Sequence, residues 1–415
     1  MFEKLFSYRR VLARHRDAPF AQEREAYLRH RAQQGAAKET LLNIARELLV
    51  ICKKLPLVSD RAIDAAEIEA TAARWARLQQ RRHRARTQLW PRGLFVLRAT
   101  QWLQFLGRFK KAEEKAVPFS DLINDFTTCL CHDRGLSSAT IRNYYWHVRQ
   151  FFAWWNGQSR PFADVSITDV DSYVALKGTS CWTRVSVASC TKALRAFFVH
   201  AERRAWCTPG TAAAIQSPRI FKQEGLPTGP AWDDVQRLIA STNTSRPRDI
   251  RDRSMLMLFS IYGLRSGEVA KLHLEDFDWE REILTVFRPK QLTTQQYPLA
   301  QGVGQAVIRY LKEVRPRCAR REVFLTLKAP FRPLSPGALH YLTRKRFSQL
   351  GITARHHGPH ALRHACAARL VSEGFSLKEI GDHLGHRSSY ATRVYAKVDI
   401  AGLREVASFD LGGLS

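Results

Sequence analysis

Six side chains that could act on a phosphate group lie in three short segments of this 415-residue chain. The segments are YGLRSGEVAKL (262–272), GPHALRHACAARL (358–370) and LGHRSSYATRVYAKV (384–398), and the side chains are Arg265, His360, Arg363, His364, His386 and Tyr395. Arginine can bind two phosphate oxygens at once, histidine transfers protons at neutral pH, and a tyrosine hydroxyl can act as a nucleophile. These residue types together predict phosphoryl transfer, in which cations stabilise a five-coordinate phosphorus.

The order and spacing of these segments resemble the tyrosine recombinase, or phage integrase, family. The matching features are the arginine of YGLRSGEV, His360 and Arg363 in an H-x-x-R motif followed by His364, the Leu384-Gly385-His386 turn, and Tyr395 nine residues beyond His386. The resemblance covers about residues 118–400. It implies that Tyr395 attacks the scissile phosphate of DNA and forms a 3′-phosphotyrosyl link, with no ATP, cofactor or metal.

The resemblance also implies a role for each matching residue. Arg265 and Arg363 would stabilise the phosphorane. His386 would hydrogen-bond a non-bridging oxygen, and His360 would assist proton transfer.

Three further residues would support this chemistry. Glu268 would orient Arg265, and His364 would be a second supporting residue. Lys290, in the turn after the β-rich segment 281–287, would be the general acid that protonates the leaving 5′-oxygen.

A zinc site is an alternative for the histidines. His360 and His364 have the i, i+4 spacing of a zinc-binding pair, with His356, His357 and Cys366 nearby. However, Ala361 stands where an H-E-x-x-H metalloprotease has its glutamate. We therefore predict no metal site.

The nucleophile and the reaction type each have a competing interpretation. Tyr390 competes with Tyr395, because both lie in SSYATRVY, although its position favours Tyr395. Alternating carboxylates could belong to a two-metal nuclease or to an exposed strand face, and they are Asp276, Asp278, Glu280 and Glu282. Since no further carboxylates recur near the histidines and arginines, we favour the exposed face.

The composition indicates a globular protein with a polyanionic partner. Lys and Arg number 66 against 38 Asp and Glu, a formal charge of +28, while 45% hydrophobic residues exclude a disordered polycation. Nucleic acid is the commonest such partner, and an anionic membrane is the alternative.

Because the sequence has neither a run of 18 apolar residues nor a secretory signal, we predict a soluble cytoplasmic protein, associated with the bacterial nucleoid when bound. Eight scattered cysteines without a C-x-x-C pair predict reduced thiols.

The periodicity predicts a mainly α fold with a small antiparallel sheet near the C-terminus. Helices are expected at 119–133, 138–156, 184–205, 249–262, 302–316, 335–350, 360–373 and 376–385, and strands at 281–287 and 297–300 across the loop 291–296. The predicted parts are a basic helical extension (1–115), a helical DNA-binding domain (118–217), a linker (218–230), a catalytic domain (231–400) and a tail (401–415). By resemblance, the two domains would be a SAM-like four-helix domain and an integrase-type domain that close around DNA as a C-shaped clamp.

Basic side chains outside the motifs predict a surface for duplex DNA. The candidates are Arg184, Lys192, Arg195, Arg203, Arg219 and Lys222. Residues 1–115 contain 25 Lys and Arg against 12 Asp and Glu, and their arginine-rich stretch 74–86 is either a DNA-contacting arm or a solvated helix face.

The resemblance further implies a homotetramer on two synapsed sites, with the tail packed on a neighbour or on its own protomer. Integration or excision of a mobile element is the favoured role, partly because of the N-terminal extension. Resolution of chromosome or plasmid dimers, with related or accessory recombinases, is an alternative. Two other protein classes are alternatives. A type IB topoisomerase-like enzyme would use nearly the same residues, whereas an inactive DNA-binding module would keep the basic surface but need not retain all the candidate catalytic residues.

Overall fold

The structure is a computed structural model that describes residues 1–57, 61–81, 89–110, 118–180, 182–220, 229–289, 292–386 and 391–398. The chain divides into two compact units. One consists of Met1–Arg108 together with Gly225–Ser415, and the other of Phe109–Glu224. The predicted tail at 401–415 lies outside the described residues, as does most of the predicted linker.

Helices dominate both units. They are α1 (Phe2–Leu5), α2 (Arg9–Arg16), α3 (Ala21–Gln33), α4 (Lys38–Lys54), α5 (Ala65–Arg81), α6 (Leu89–Phe105), α7 (Ser120–His132), α8 (Ser138–Trp155), α9 (Ile167–Ser180), α10 (Arg184–Arg203), α11 (Thr211–Ala214), α12 (Trp232–Ala240), α13 (Pro247–Ile261), α14 (Ser266–Val269), α15 (Gln301–Glu313), α16 (Pro336–Leu350), α17 (Pro359–Ser372) and α18 (Leu377–Leu384). The strands are β1 (Ile63–Asp64), β2 (Phe109–Lys110), β3 (Phe277–Asp278), β4 (Ile283–Arg288) and β5 (Thr293–Pro298). The prediction of a mainly α fold with a small antiparallel sheet is confirmed.

The N-terminal helices pack around an apolar stripe on α4. Leu41, Ile44 and Leu48 recur at helical spacing and are buried. Arg24 in α3 is fully buried. Its guanidinium donates to backbone carbonyls, including that of Ala18 at 2.9 Å. A buried charge is tolerated here because its hydrogen bonds are made to carbonyl oxygens.

A contact joins these helices to the C-terminal part of the same unit. Arg31 in α3 donates to the carbonyl of Ala329 at 3.4 Å. Gly35 has a φ of +86°, and a Cβ there would lie 2.8 Å from the ring of Phe331. Only glycine adopts this backbone and admits the ring without strain.

The unit 109–224 has an aromatic core, and α8 supplies much of it. Val148, Phe151, Phe152 and Trp155 are fully buried, as the periodicity predicts. The Ser137 side chain caps α8 by accepting a hydrogen bond from the Thr140 backbone. α10 packs across α8 with its own stripe of buried residues.

The three-stranded sheet has the order β3-β4-β5, with both pairs antiparallel. Arg288 pairs with Thr293 and Ile283 with Pro298. The predicted antiparallel return strand is present, but its bounds of 297–300 are wrong, because β5 begins at Thr293 and takes up most of the predicted loop 291–296. The edge of β4 provides hydrogen-bond partners for that backbone, and a strand exposed on one face tolerates polar side chains.

The last two long helices begin where their capping residues predict. α17 starts with Pro359 at its first turn, where the missing N–H costs no hydrogen bond. α18 begins after Ser376, which forms the predicted capping box with Glu379. Gly385, at a φ of +60°, ends α18 in the left-handed conformation.

Candidate active site

Two arginines from separate helical segments bind one turn at the end of α18. Nη1 of Arg363 donates to the Gly263 carbonyl at 2.5 Å, and Nη2 donates to the Leu384 carbonyl at 2.7 Å. Nη2 of Arg265 donates to the next carbonyl, that of Gly385, at 3.3 Å. The three sequence segments that carry the predicted chemistry therefore meet at this turn.

Close backbone packing makes this meeting possible. Gly263 has a φ of +59°, and a Cβ there would overlap the side chain of Leu384. Arg363 lies on the buried face of α17 with 2% of its surface exposed. Burial, and then the charge of Arg265, lower the pKa of Arg363 to about 10, so its guanidinium is still charged at neutral pH.

A buried carboxylate links Arg265 to a second arginine that the sequence analysis missed. Glu268 accepts from Nη1 of Arg265 at 2.8 Å and from Nη1 of Arg288 at 2.6 Å. Burial alone would raise the pKa of Glu268, but hydrogen bonds from the Arg265 backbone and from Arg288 outweigh it and lower that pKa. Glu268 is thus ionised and hydrogen-bonds the side chain of Arg265.

The strand β5 holds the C-terminal end of α18. Nε2 of Gln295 donates to the Asp382 carbonyl at 2.7 Å, and the Tyr297 hydroxyl donates to the His383 carbonyl at 2.5 Å. Both side chains also accept hydrogen bonds from Arg288. These residues satisfy carbonyls left open at a helix end and thereby position the turn that binds the arginines.

The Tyr395 hydroxyl lies 2.9 Å from Nδ1 of His364, within hydrogen-bond distance. Tyr395 belongs to the short 3₁₀ helix Arg393–Val398 and is 2% exposed. Burial raises the pKa of Tyr395 to about 12 and lowers the pKa of His364 to about 4. The imidazole is therefore neutral at neutral pH and can accept the phenolic proton.

His386 lies on the same side of the site as Tyr395. Its Nδ1 is 2.8 Å from Oγ1 of the buried Thr392, and its ring is parallel to that of Tyr395 with centroids 6.5 Å apart. Burial, followed by the charges of Arg363 and Arg265, lowers the pKa of His386 to about 4. Because Thr392 occupies Nδ1, Nε2 is the nitrogen left for a ligand.

His360 is exposed and lies on α17, one helical turn from His364. The two ring centroids are 4.3 Å apart. Partial desolvation and the neighbouring Arg363 lower the pKa of His360.

Several predicted residues lie outside the described part of the chain. They are Lys290, Lys222 and the alternative nucleophile Tyr390. Of the other predicted DNA-binding residues, all are exposed, and they are Arg184, Lys192, Arg195, Arg203 and Arg219. Arg195 also donates to the carbonyl of Ile215.

Within the described residues, no group of three or more His, Cys, Asp and Glu side chains is arranged to hold a metal ion. In the same part of the chain, no helix is both long and apolar enough to span a membrane.

Two protein-family models and several known proteins match this sequence. The sequence model of the phage integrase family matches residues 231–401, and that of the phage integrase N-terminal SAM-like domain matches residues 123–205. A putative integrase/recombinase, y4rA of Sinorhizobium fredii, is 37% identical over 276 residues, which cover 66% of this chain and 67% of that protein. The chain belongs to the phage integrase family of tyrosine recombinases.

Other tyrosine recombinases align over a similar span. Tyrosine recombinase XerD of Listeria monocytogenes is 27% identical over 293 residues, 69% of this chain and 97% of that protein. Among solved structures, the Tn1549 transposon integrase in complex with transposon right end DNA has a TM-score of 0.55 at 16% identity, covering 69% of this chain and 99% of that one. XerH bound to its palindromic difH substrate has a TM-score of 0.54 at 18% identity, covering 69% and 84%. Both structures share the fold of this tyrosine recombinase.

Proposed function

We propose that this chain is a site-specific DNA recombinase in which Tyr395 attacks the scissile phosphate. The reaction joins the phenolic oxygen to phosphorus and expels the 5′-oxygen, so that one phosphate ester replaces another. Attack by the 5′-hydroxyl of a partner strand then restores the DNA and releases the tyrosine. No ATP is consumed, because the ester bond is conserved.

The observation that carries this proposal is the binding of Arg265 and Arg363 to successive carbonyls of one turn. Two guanidinium groups held side by side present several N–H donors to the non-bridging oxygens of a phosphate. Their positions are fixed before DNA arrives, so little reorganisation is needed when charge develops on the phosphorane.

The histidines divide the proton transfers and oxygen contacts between them. His364 accepts the phenolic proton as Tyr395 attacks. The distance of 2.9 Å between the Tyr395 hydroxyl and Nδ1 of His364 supports this role. His386 donates from Nε2 to a non-bridging oxygen of the phosphate, and His360 assists proton transfer. Lys290 protonates the leaving 5′-oxygen.

The DNA contacts and the assembly are part of the same proposal. Duplex DNA is the partner, and the domains 118–217 and 231–400 close around it as a C-shaped clamp. The exposed cations of α10 bind its phosphates, which makes affinity strongly dependent on salt. Four protomers act on two synapsed sites.

We also propose that the substrate is a mobile element. The support is the 37% identity to a putative integrase/recombinase, against 27% to XerD. Resolution of replicon dimers is the second candidate, because XerD aligns over 97% of its own length.

Covalent capture of DNA tests the chemistry. DNA that stays attached to the protein in denatured lysates of expressing cells is sequenced to locate the cleavage site. A duplex with that site and a nick beside the scissile phosphate is then incubated with purified protein in EDTA and without ATP. We expect a covalent adduct from the wild type and none from Tyr395→Phe, which lacks the attacking oxygen.

Tyr390→Phe is the matched control, and it should form the adduct at the wild-type rate. An adduct that survives Tyr395→Phe, or one that requires Mg²⁺, contradicts the proposed mechanism. The sequenced sites also separate the two roles: ends of a repeated insertion support a mobile element, whereas one site per chromosome supports dimer resolution.

A further inference from the structure

An exposed tryptophan lies between two arginines on one face of α8. Arg142, Trp146 and Arg149 are spaced by four and three residues, so their side chains share a helix face, which we call the α8 stripe. Trp146 is 47% exposed, and both arginines are exposed. Tryptophan combines a large apolar ring with a polar N–H and is enriched at contacts with binding partners.

Neighbouring rings hold Trp146 in place. Its ring stacks on that of Trp182, with centroids 5.8 Å apart and planes inclined by 27°. The ring of His147 lies edge-on at 4.8 Å, and Nζ of Lys177 lies 5.5 Å from the Trp182 centroid. The tryptophan is therefore rigid before it binds, and a rigid side chain loses little conformational entropy on binding.

The charges of the α8 stripe indicate the chemistry of the partner. Arg142 and Arg149 are about 10 Å apart along the helix axis, with the tryptophan between them. Among the residues that the structure describes, neither arginine has a carboxylate partner. A ligand that fits this pattern has an aromatic group with an anion on each side. A nucleic acid has this arrangement, because each base lies between two backbone phosphates.

We propose that Trp146 stacks on a base at an opened step of the target duplex while Arg142 and Arg149 bind the flanking phosphates. The proposal rests on the proposed function only in requiring that the chain binds duplex DNA. Inserted side chains act at base steps that unstack easily, and the energy of opening depends on the sequence of the step. Trp146 thus makes binding depend on how easily the DNA deforms, without reading base edges.

The test measures the affinity of the full chain for two duplexes by fluorescence anisotropy. The duplexes have the same length and sequence, except that one carries adjacent mismatches and so is already unstacked at one step. We expect the wild type to bind the mismatched duplex more tightly by about fivefold or more, the lower end of what one base–aromatic stack contributes. Trp146→Ala should abolish this preference, and Trp146→Phe should retain it.

Trp279→Ala is the matched control, because Trp279 is also exposed, at 37%, but lies in the other unit. It should keep the wild-type preference. Arg142→Gln and Arg149→Gln should weaken binding to both duplexes equally and reduce the slope of log affinity against log salt by about one each.

Three results would overturn the proposal. One is equal binding of both duplexes by the wild type, and another is a preference that persists in Trp146→Ala. The third is a change in oligomeric state of Trp146→Ala with unchanged DNA affinity, which would make the α8 stripe a protein interface. Failure of the wild type to bind either duplex would instead overturn the proposed function as well.

Discussion

A buried carboxylate connects Arg265, the arginine proposed to bind the scissile phosphate, to the sheet that supports it. Glu268 lies between Arg265 and Arg288, and the side chain of Arg288 is only 1% exposed. Glu268 was among the residues named from the sequence, and its contact with Arg265 is present, whereas Arg288 was not named. A signal was present, because Arg288 follows Leu284 and Val286 at alternate positions of β4, and alternation places all three on the buried face.

Removing the charge of Glu268 should therefore destabilise the protein. Glu268→Gln leaves Arg288 buried without a full countercharge, and loss of one partner of a buried ion pair costs about 3–5 kcal/mol. We expect urea denaturation to show a decrease of that order in the free energy of unfolding.

Glu275→Gln is the control for this change. Glu275 pairs with Arg321 at the surface, where both side chains are more than half exposed. The free energy of unfolding of the Glu275→Gln variant should match that of the wild type. Equal loss in the two variants would mean that the buried network contributes nothing beyond a surface ion pair.

At the scale of elements, the strand pair β4–β5 positions the helix that ends at the active-site turn. The sequence 291–296 is polar and was predicted to be a loop, whereas the structure has a strand from Thr293. Local composition could not reveal this, because the partner edge and the carbonyls of α18 that Gln295 binds are supplied by distant parts of the chain. The helices around it were predictable, since their buried stripes and caps are local signals.

Gly385 should be the most sensitive position of that turn. Its φ is +60°, and a Cβ there would lie 2.7 Å from Nε of Arg288. Gly385→Ala should cost the left-handed strain of about 1 kcal/mol and in addition displace Arg288. Because Arg265 binds the Gly385 carbonyl, we also expect covalent-adduct formation to be lost.

Gly374→Ala separates strain from displacement. Gly374 also has a positive φ, of +85°, but nothing lies within 4 Å of its added Cβ. This variant should lose about 1 kcal/mol in the same urea titration and still form the adduct. If Gly385→Ala behaves like Gly374→Ala in both measurements, the turn does not depend on close packing.

The N-terminal helices belong to the same compact unit as the residues proposed to act on the phosphate. The sequence predicted that residues 1–115 are helical and basic, but not what they pack against. Periodicity identifies the buried face of a helix such as α4, whereas its neighbour depends on contacts distant in sequence, such as that between Arg31 and Ala329.

Because these helices belong to one compact unit, destabilising one of them should lower hydrogen-exchange protection in the others. Leu48→Ala removes a fully buried side chain from α4 and should cost about 2–5 kcal/mol. In hydrogen exchange, we expect lower protection both in the N-terminal helices and in α13, because they belong to one compact unit, and unchanged protection in α8.

Leu194→Ala is the reciprocal variant. Leu194 is fully buried in α10, so protection should fall in α8 and stay unchanged in α13. If Leu48→Ala affects only residues 1–108, the N-terminal helices unfold independently of the catalytic part.

The arginine contacts can form only late in protein synthesis. The hydrogen bond from Arg363 to Gly263 joins residues 100 positions apart, and that from Arg265 to Gly385 joins residues 120 apart. A chain still on the ribosome has neither contact until the whole stretch has emerged and folded. A product that terminates before residue 384 therefore lacks the turn that holds the two guanidinium groups, and under the proposed mechanism it should bind DNA without cleaving it.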